Sequence, residues 1–203
     1  MDLQYPIGRF ESSGRATPEQ RKGRIADIAA APAKFRGAVA DLSPEQLDTP
    51  YRPGGWTVRQ VIHHLPDSHM NAFIRFKLAL TEDRPTIKPY NEKLWADLAD
   101  VRNTPIEVSL SLLESIHQRW VVLLRSLTAE EFARTFVHPE YQTEMALDDA
   151  LAMYAWHGAH HTAHVTHLRE RMGWKPAASR VESKSAARQT RPGGKGKKGA
   201  KKR

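Results

Sequence analysis

The chain has 203 residues, enough for one domain with a hydrophobic core, and its net charge of +8 comes from residues 175–203, which hold eleven Lys and Arg but one acid. It contains no cysteine, which excludes disulfides, thiolate metal ligands and a cysteine nucleophile. No apolar run approaches the roughly 20 residues that span a bilayer, and the N-terminus lacks the apolar core of a signal peptide, so we expect a soluble, cytoplasmic protein.

Two helices are predicted in the first half of the chain from apolar residues spaced three or four apart. The first opens at the capping box Thr17–Gln20 and extends to about Asp41, and we expect Pro32 to kink it. The second opens at a capping box that begins at Thr57 and extends to about Leu80. Both helices present an apolar stripe, which predicts that each packs against other elements.

Two further helices are predicted in the second half. The motif "TPIE", Thr104 to Glu107, is expected to open the third, because Thr suits the N-cap and Pro the first helical position. The fourth runs from about Leu147 to Met172 and ends at Gly173, a residue type that commonly terminates helices. Four helices of this length without an alternating strand pattern predict an all-α four-helix bundle.

Long connections separate these helices. Residues 82–103 and 128–146 are each expected to hold one short helix, and loops of that length are often functional. The sequence therefore predicts a bundle domain over residues 1–174. It also predicts a disordered Lys/Arg/Gly-rich tail over residues 175–203, which is too polar to order itself and could bind polyanions without specificity. No motif for specific nucleic-acid recognition is present.

The fourth helix carries "WHGAHHTAHVTH", residues 156–167, which holds five of the ten histidines of the chain. Histidines four apart lie on one helix face and can chelate one ion, and the stretch offers His157 with His161 and His160 with His164. Helical periodicity does not choose between the two pairs. It puts His161 inside the apolar stripe, His157 and His164 beside it and His160 further round.

The second helix offers a third ligand in "VIHHLPDSH", where His64 begins a polar stripe that continues through Asp67, Ser68, Asn71 and Arg75. Three neutral imidazoles would leave a coordination position open, which is typical of catalytic rather than structural sites. A structural metal site would instead require four protein ligands. An all-nitrogen ligand set does not select among zinc, nickel and other divalent ions.

Four strings resemble the YfiT-like metal-dependent hydrolases of the DinB superfamily, a group that includes bacillithiol S-transferases. They are "YPIG" near the start, the segment "LDTPYRPGGWTVRQVIHHLPDSHMNAFIRFKLALTE", and "HQRW" together with "WHGAHHTAHVTHLRERMGW". The resemblance covers roughly residues 4–174. It implies a four-helix bundle that forms a homodimer, with one divalent ion per subunit, zinc in first place and nickel as the alternative.

The resemblance also implies the ligands His64, His160 and His164, which leaves His157, His161 and His63 to supporting, packing or substrate-side roles. Pro66 departs from the family pattern, which has alanine there, and the basic tail lies outside that pattern. A proline at this position removes a helical hydrogen bond one turn after His64.

Two reactions fit such a site. In the first, metal-activated water attacks the carbonyl of a small-molecule substrate, with Asp67 or His161 relaying protons and with Asn71 and Arg75 binding the substrate. In the second, a low-molecular-weight thiol of the bacillithiol type is conjugated to an electrophile. The sequence therefore predicts a metal-dependent hydrolase, with a metal-dependent thiol S-transferase as the alternative.

Overall fold

The computed structural model describes residues 2–12, 14–140 and 142–175, which form a helical bundle with one small hairpin. The four long helices are α1 (Pro18–Val39), α3 (Val58–Thr81), α6 (Ile106–Ser126) and α8 (Leu147–Met172). The short elements are α2 (Pro44–Leu47), α4 (Glu92–Ala96), α5 (Ala99–Asn103), α7 (Ala129–Phe132), β1 (Thr135–His138) and β2 (Thr143–Ala146). The predicted four-helix bundle is confirmed.

The helix ends follow the local sequence signals in three of the four long helices. Thr17 and Thr57 each cap a helix through a complete capping box, in which the side chain accepts from the backbone N–H three residues later. Helix α8 ends at Gly173, which has a φ of +67°, a conformation that costs glycine little. The predicted ends of α8 are therefore confirmed to the residue.

The third long helix begins later than predicted. Thr104 does not cap it; it ends α5 instead, where its backbone N–H donates to the carbonyl of Asp100. Helix α6 begins at Ile106 after Pro105, without a side-chain cap. The cap motif at Thr104 was misread because a short helix directly before it takes that residue as its own C-terminal end.

The connection 128–146 contains a hairpin that the sequence analysis did not predict. β1 and β2 pair antiparallel, from Thr135 opposite Ala146 to His138 opposite Thr143. Strands of four residues are too short to show a distinct alternation of apolar and polar side chains. The connection 82–103 likewise holds two short helices, α4 and α5, rather than the single one predicted.

The apolar core forms two clusters at opposite ends of the bundle, and each long helix contributes to both. The first cluster includes Ile28 of α1, Phe76 of α3, Trp120 of α6 and Leu151 of α8. The second cluster includes, from the same helices in the same order, Phe35, Ile62, Leu113 and Val165. Between them, in the middle of the bundle, lie buried histidines of α3, α6 and α8.

The order of these clusters along each helix gives the topology. Helices α1 and α8 pass from the first cluster to the second, whereas α3 and α6 pass from the second to the first. The pair α1 and α8 pack together and run parallel, as do α3 and α6. Because α3 and α6 are parallel and consecutive among the long helices, the connection 82–105 must travel the length of the bundle. That requirement explains why the connection is long.

A buried ion pair joins the N-terminal ends of α1 and α8. The Arg21 guanidinium donates to both carboxylate oxygens of Asp148, at 2.7 Å each, and the backbone N–H of Ala16 also donates to that carboxylate. The bidentate geometry fixes the relative position of the two helices. Asp148, which lies in the first turn of α8, therefore connects that helix to α1.

Both prolines inside the long helices are accommodated without a break. Pro32 lies within α1 and Pro66 within α3, and each helix continues past its proline. No helix in the described part of the chain is both long enough and apolar enough to cross a membrane. The predicted tail lies outside the described residues except for Lys175, and the domain boundary and homodimer stay predictions.

Candidate metal centre

Three histidines from two helices converge in the polar layer between the apolar clusters. His64 of α3 and His157 and His161 of α8 each present a ring nitrogen, and these nitrogens all lie within 4.8 Å of one another. Spacing of four residues puts the two α8 rings on one face, and the packing of α3 against α8 brings His64 to that face. His64 and His161 are buried and His157 is partly buried.

Burial keeps these rings neutral. It lowers the pKa of His64 to about 4, and it lowers the pKa values of His157 and His161 well below the ordinary value, with the neighbouring histidines adding to the effect. A neutral imidazole has one bare nitrogen that can bind a metal ion. The cluster therefore offers a set of neutral nitrogen donors at neutral pH.

The spacing of the two α8 rings fits a shared ion. Nε2 of His157 lies 3.1 Å from Nε2 of His161. Two nitrogens about 2.0–2.1 Å from one zinc ion would be roughly 2.9–3.4 Å apart at ligand angles of about 90–110°. The residues present thus fit a divalent metal ion, with His64 as the third donor.

The structure does not bring His160 and His164 together with His64 in this way. The His160 ring stacks on Trp156 with centroids 4.4 Å apart, and the His164 ring stacks on Tyr51 at 3.9 Å. His164 Nε2 lies 3.1 Å from the backbone oxygen of Gln4, so the N-terminal segment occupies that nitrogen. Of the predicted ligand set, only His64 lies in the converging group, and the metal assignment of His160 and His164 stays a prediction without geometric support.

Two further histidines extend the polar layer behind the converging group. His69 of α3 is fully buried, and its Nε2 lies 3.1 Å from Nδ1 of His157. Its Nδ1 lies 2.7 Å from Nε2 of His117 of α6, whose Nδ1 donates to the carbonyl of Ile28 at 2.6 Å. A partner on the second nitrogen of a ligand histidine orients its ring, and His69 holds that position for His157.

Sequence reasoning did not assign a role to His69 or His117. His69 follows His64 by five residues in the motif "VIHHLPDSH", and His117 lies three residues before the buried Trp120. The signal that could have found them is polarity at positions where the helix periodicity requires an apolar side chain. A polar residue buried there needs a partner, and each of these histidines has another histidine as its partner.

The predicted proton-relay and substrate residues lie on α3 beyond His64. Burial, together with a smaller effect of the nearby Asp100 carboxylate, raises the pKa of Asp67 to about 6. Asn71 uses its amide nitrogen to donate to the carbonyl of Asp67 at 2.9 Å, and Arg75 donates to the Tyr154 hydroxyl at 3.0 Å. Helical spacing puts Asp67 one turn from His64 and Arg75 two turns further on. His161, the other predicted relay, belongs to the converging group instead.

A cleft of about 550 Å³ reaches the histidine layer from outside. One side of it is formed by the N-terminal segment and the loop before α3, including Tyr5, Tyr51 and Trp56. The other side includes His160, His161 and His164 of α8. Because His161 belongs to both the cleft and the converging group, the cleft leads to the candidate metal centre.

Known proteins match most of the length of this chain. A family model described as the DinB superfamily matches residues 27–165. A Bacillus cereus protein named "Putative metal-dependent hydrolase" is 56% identical over 173 residues, which are 85% of this chain and 99% of that protein. A Bacillus mycoides protein of the same description is 55% identical over 173 residues, with the same shares of the two chains.

A solved structure also matches. YfiT from Bacillus subtilis, described as "a probable metal-dependent hydrolase with an unusual four-helix bundle topology", is 49% identical. The match has a TM-score of 0.84 and covers 86% of this chain and 100% of YfiT. The chain therefore belongs to the DinB superfamily.

Proposed function

We propose that this protein is a hydrolase that depends on one divalent metal ion, held by His64, His157 and His161. The observation that carries the proposal is the convergence of these three rings beside a cleft, with the Nε2 atoms of His157 and His161 3.1 Å apart. The proposed ligand set differs from the one predicted from the sequence, because it contains His157 and His161 in place of His160 and His164. The names of the relatives support the same class of activity.

The donor set favours catalysis over a structural role. Three protein ligands leave room for a water molecule or a substrate atom, whereas structural zinc sites use four. When bound, such an ion supplies Lewis acidity and lowers the pKa of coordinated water towards neutrality. We propose zinc as the ion, with nickel as the alternative, because neutral imidazoles suit both.

The residues of this chain then supply proton transfer and orientation. A carboxyl group whose pKa is near 6 is suited to accept a proton at neutral pH, and Asp67 has that property. Asp67 is therefore the proposed proton relay. Arg75, which donates to the Tyr154 hydroxyl, is the proposed anchor for an anionic part of the substrate, and the amide of Asn71 is held by the backbone carbonyl of Asp67. The volume of the cleft suits a small molecule.

The test compares chelator-treated protein with the same protein reloaded with zinc, on a panel of aryl esters and anilides. The panel is run with and without a low-molecular-weight thiol, and products are identified by mass spectrometry. We expect hydrolysis products that require zinc and form equally well without thiol. Conjugates that form only when thiol is present would contradict the proposal and support the thiol S-transferase instead.

A further inference from the structure

A continuous line of five histidine rings crosses the bundle between two backbone carbonyl oxygens. It begins at the carbonyl of Ile28 and ends at the carbonyl of Gln4, and the rings between them are, in order, His117, His69, His157, His161 and His164. The six successive separations are 2.6, 2.7, 3.1, 3.1, 3.4 and 3.1 Å. Every ring nitrogen of these histidines takes part in one link of the line.

The line contains fewer protons than links. Four of the rings are buried, that of His157 is partly buried, and no carboxylate takes part in any link, so each ring is a neutral imidazole with one N–H. The backbone oxygens at the two ends accept hydrogen bonds but cannot donate them. Five N–H groups therefore serve six links, and one link contains no hydrogen.

When His117 donates Nδ1–H to the carbonyl of Ile28 and His164 donates Nε2–H to the carbonyl of Gln4, the link without a hydrogen is one of the four between rings. With that link between His157 and His161, Nδ1–H of His69 donates to Nε2 of His117, and Nδ1–H of His157 donates to Nε2 of His69. On the other side, Nδ1–H of His161 donates to Nδ1 of His164. The bare nitrogens are then Nε2 of His157 and Nε2 of His161, which lie 3.1 Å apart.

Two bare nitrogens that face each other repel through their lone pairs unless a cation lies between them. His64 selects the link between His157 and His161, because among the described residues these three histidines are the one group whose donor atoms converge as possible ligands of one ion. We propose that the histidine line sets both α8 ligands to the Nδ1–H tautomer, so that their Nε2 atoms bind the ion. His117, His69 and His164 are then positioning residues. The inference rests on the proposed metal centre.

The line has two arms with different anchors. The inner arm consists of His117 and His69. It begins with the hydrogen bond from His117 to the carbonyl of Ile28 in α1, and each ring accepts from the next until His157 donates through Nδ1–H. The outer arm consists of His164. It donates through Nε2–H to the carbonyl of Gln4 in the N-terminal segment and accepts through Nδ1 from Nδ1–H of His161. The outer arm gives His164 a role beside the cleft as a positioning residue for His161.

The first test determines the tautomer of each ring in the full chain loaded with zinc, which is diamagnetic, from long-range ¹H–¹⁵N spectra. We expect Nδ1–H on His117, His69, His157 and His161, and Nε2–H on His164. A proton on Nε2 of His161, with the bare link moved to the 3.4 Å gap between His161 and His164, would overturn the inference.

The second test measures zinc affinity by competition with a chromophoric chelator. His164→Leu removes the acceptor for His161, and we expect zinc affinity to fall by about 10–100-fold, the range typical of partners of metal ligands. His164→Asn keeps an acceptor near the position of Nδ1 and should restore most of that affinity. His63→Gln is the control for changing a buried histidine outside the line, since His63 pairs with Ser109.

The outcomes separate the two proposals. Zinc binding that is equal in wild type, His164→Leu and His164→Asn would overturn the histidine line and leave the metal centre intact. A wild-type protein that binds no zinc or nickel would overturn both. Zinc binding with the expected tautomers but without hydrolysis of any ester or anilide would contradict the hydrolase proposal and support the histidine line.

Discussion

The two His-x-x-x-His pairs of α8 have the same spacing but different surroundings. His157 and His161 point between helices, where His64 of α3 meets them, and their Nε2 atoms are 3.1 Å apart. His160 and His164 lie one turn further along, where Trp156, Tyr51 and the backbone of Gln4 take up their ring faces and one ring nitrogen. From this comparison we infer that ligand spacing is necessary and that a third donor decides which pair can hold an ion.

The largest expected effect comes from removing the histidine of α3 that meets the pair His157 and His161. His64→Ala removes the proposed third ligand, and we expect zinc affinity to fall further than the about 10–100-fold typical of outer partners, with loss of hydrolysis. The neighbouring His63→Ala is the matched control, because the His63 ring pairs with Ser109 of α6 and lies outside the converging group. Chelator competition and circular dichroism would measure the two variants. Equal loss of zinc in both would mean that α3 contributes no specific ligand.

The next largest expected effect is a loss of turnover, at unchanged metal content, when the proposed proton relay is replaced. Asp67→Asn should reduce turnover by about 10²–10⁴-fold, the range for general acid–base groups, while the zinc content stays at the wild-type level. Because the raised pKa of Asp67 is about 6, the protonated form that cannot accept a proton accumulates below that pH. The wild-type rate should therefore fall as pH drops through about 6, and this limb should be missing in Asp67→Asn.

Asp100→Asn sharpens the same prediction. The Asp100 carboxylate contributes to the raised pKa of Asp67, after the larger contribution from burial. Removing that charge should shift the acidic limb of the wild-type rate profile to lower pH without lowering the plateau rate. An acidic limb that remains in place in both the Asp67→Asn and Asp100→Asn variants would assign it to a different group.

The smallest expected effect comes from a change beside His160 and His164, the outer pair of α8 histidines. Tyr51 stacks on His164 at 3.9 Å, and such aromatic pairs contribute about 0.5–1.5 kcal/mol beyond the area that they bury. Tyr51→Leu should therefore weaken zinc binding less than about tenfold, because it loosens a support of the metal centre and removes no ligand. A loss as large as that of His64→Ala would indicate that His164 binds the ion directly.

Much of the fold follows from local signals in the sequence. The capping boxes at Thr17 and Thr57 and the glycine at Gly173 predict helix ends because they act through neighbouring backbone groups. The hairpin of β1 and β2 was not predicted, since four-residue strands depend on packing against the helices rather than on their own pattern. The parallel arrangement of α3 and α6 is also a property of the whole bundle, which no single segment encodes.

The sequence predicted a centre with three histidine donors, and three histidines converge in the structure. His64 was identified because a histidine among polar residues interrupts an apolar helix. His161 was left to a supporting role because the family resemblance pointed to His160 and His164, and that ligand assignment stays a prediction. The stripe of α8 that holds His161 faces the middle of the bundle, where His64 of α3 also lies, and for that reason we propose His161 as a ligand.

The most direct test is the metal content of untagged wild-type, His157→Ala and His160→Ala proteins, measured by mass spectrometry after identical purification. The two variants change neighbouring histidines of the same helix, one in each His-x-x-x-His pair. The account predicts about one divalent ion per chain in wild type and in His160→Ala, and none in His157→Ala, with all three folded. An ion retained by His157→Ala and lost from His160→Ala would contradict it and return the site to the outer pair.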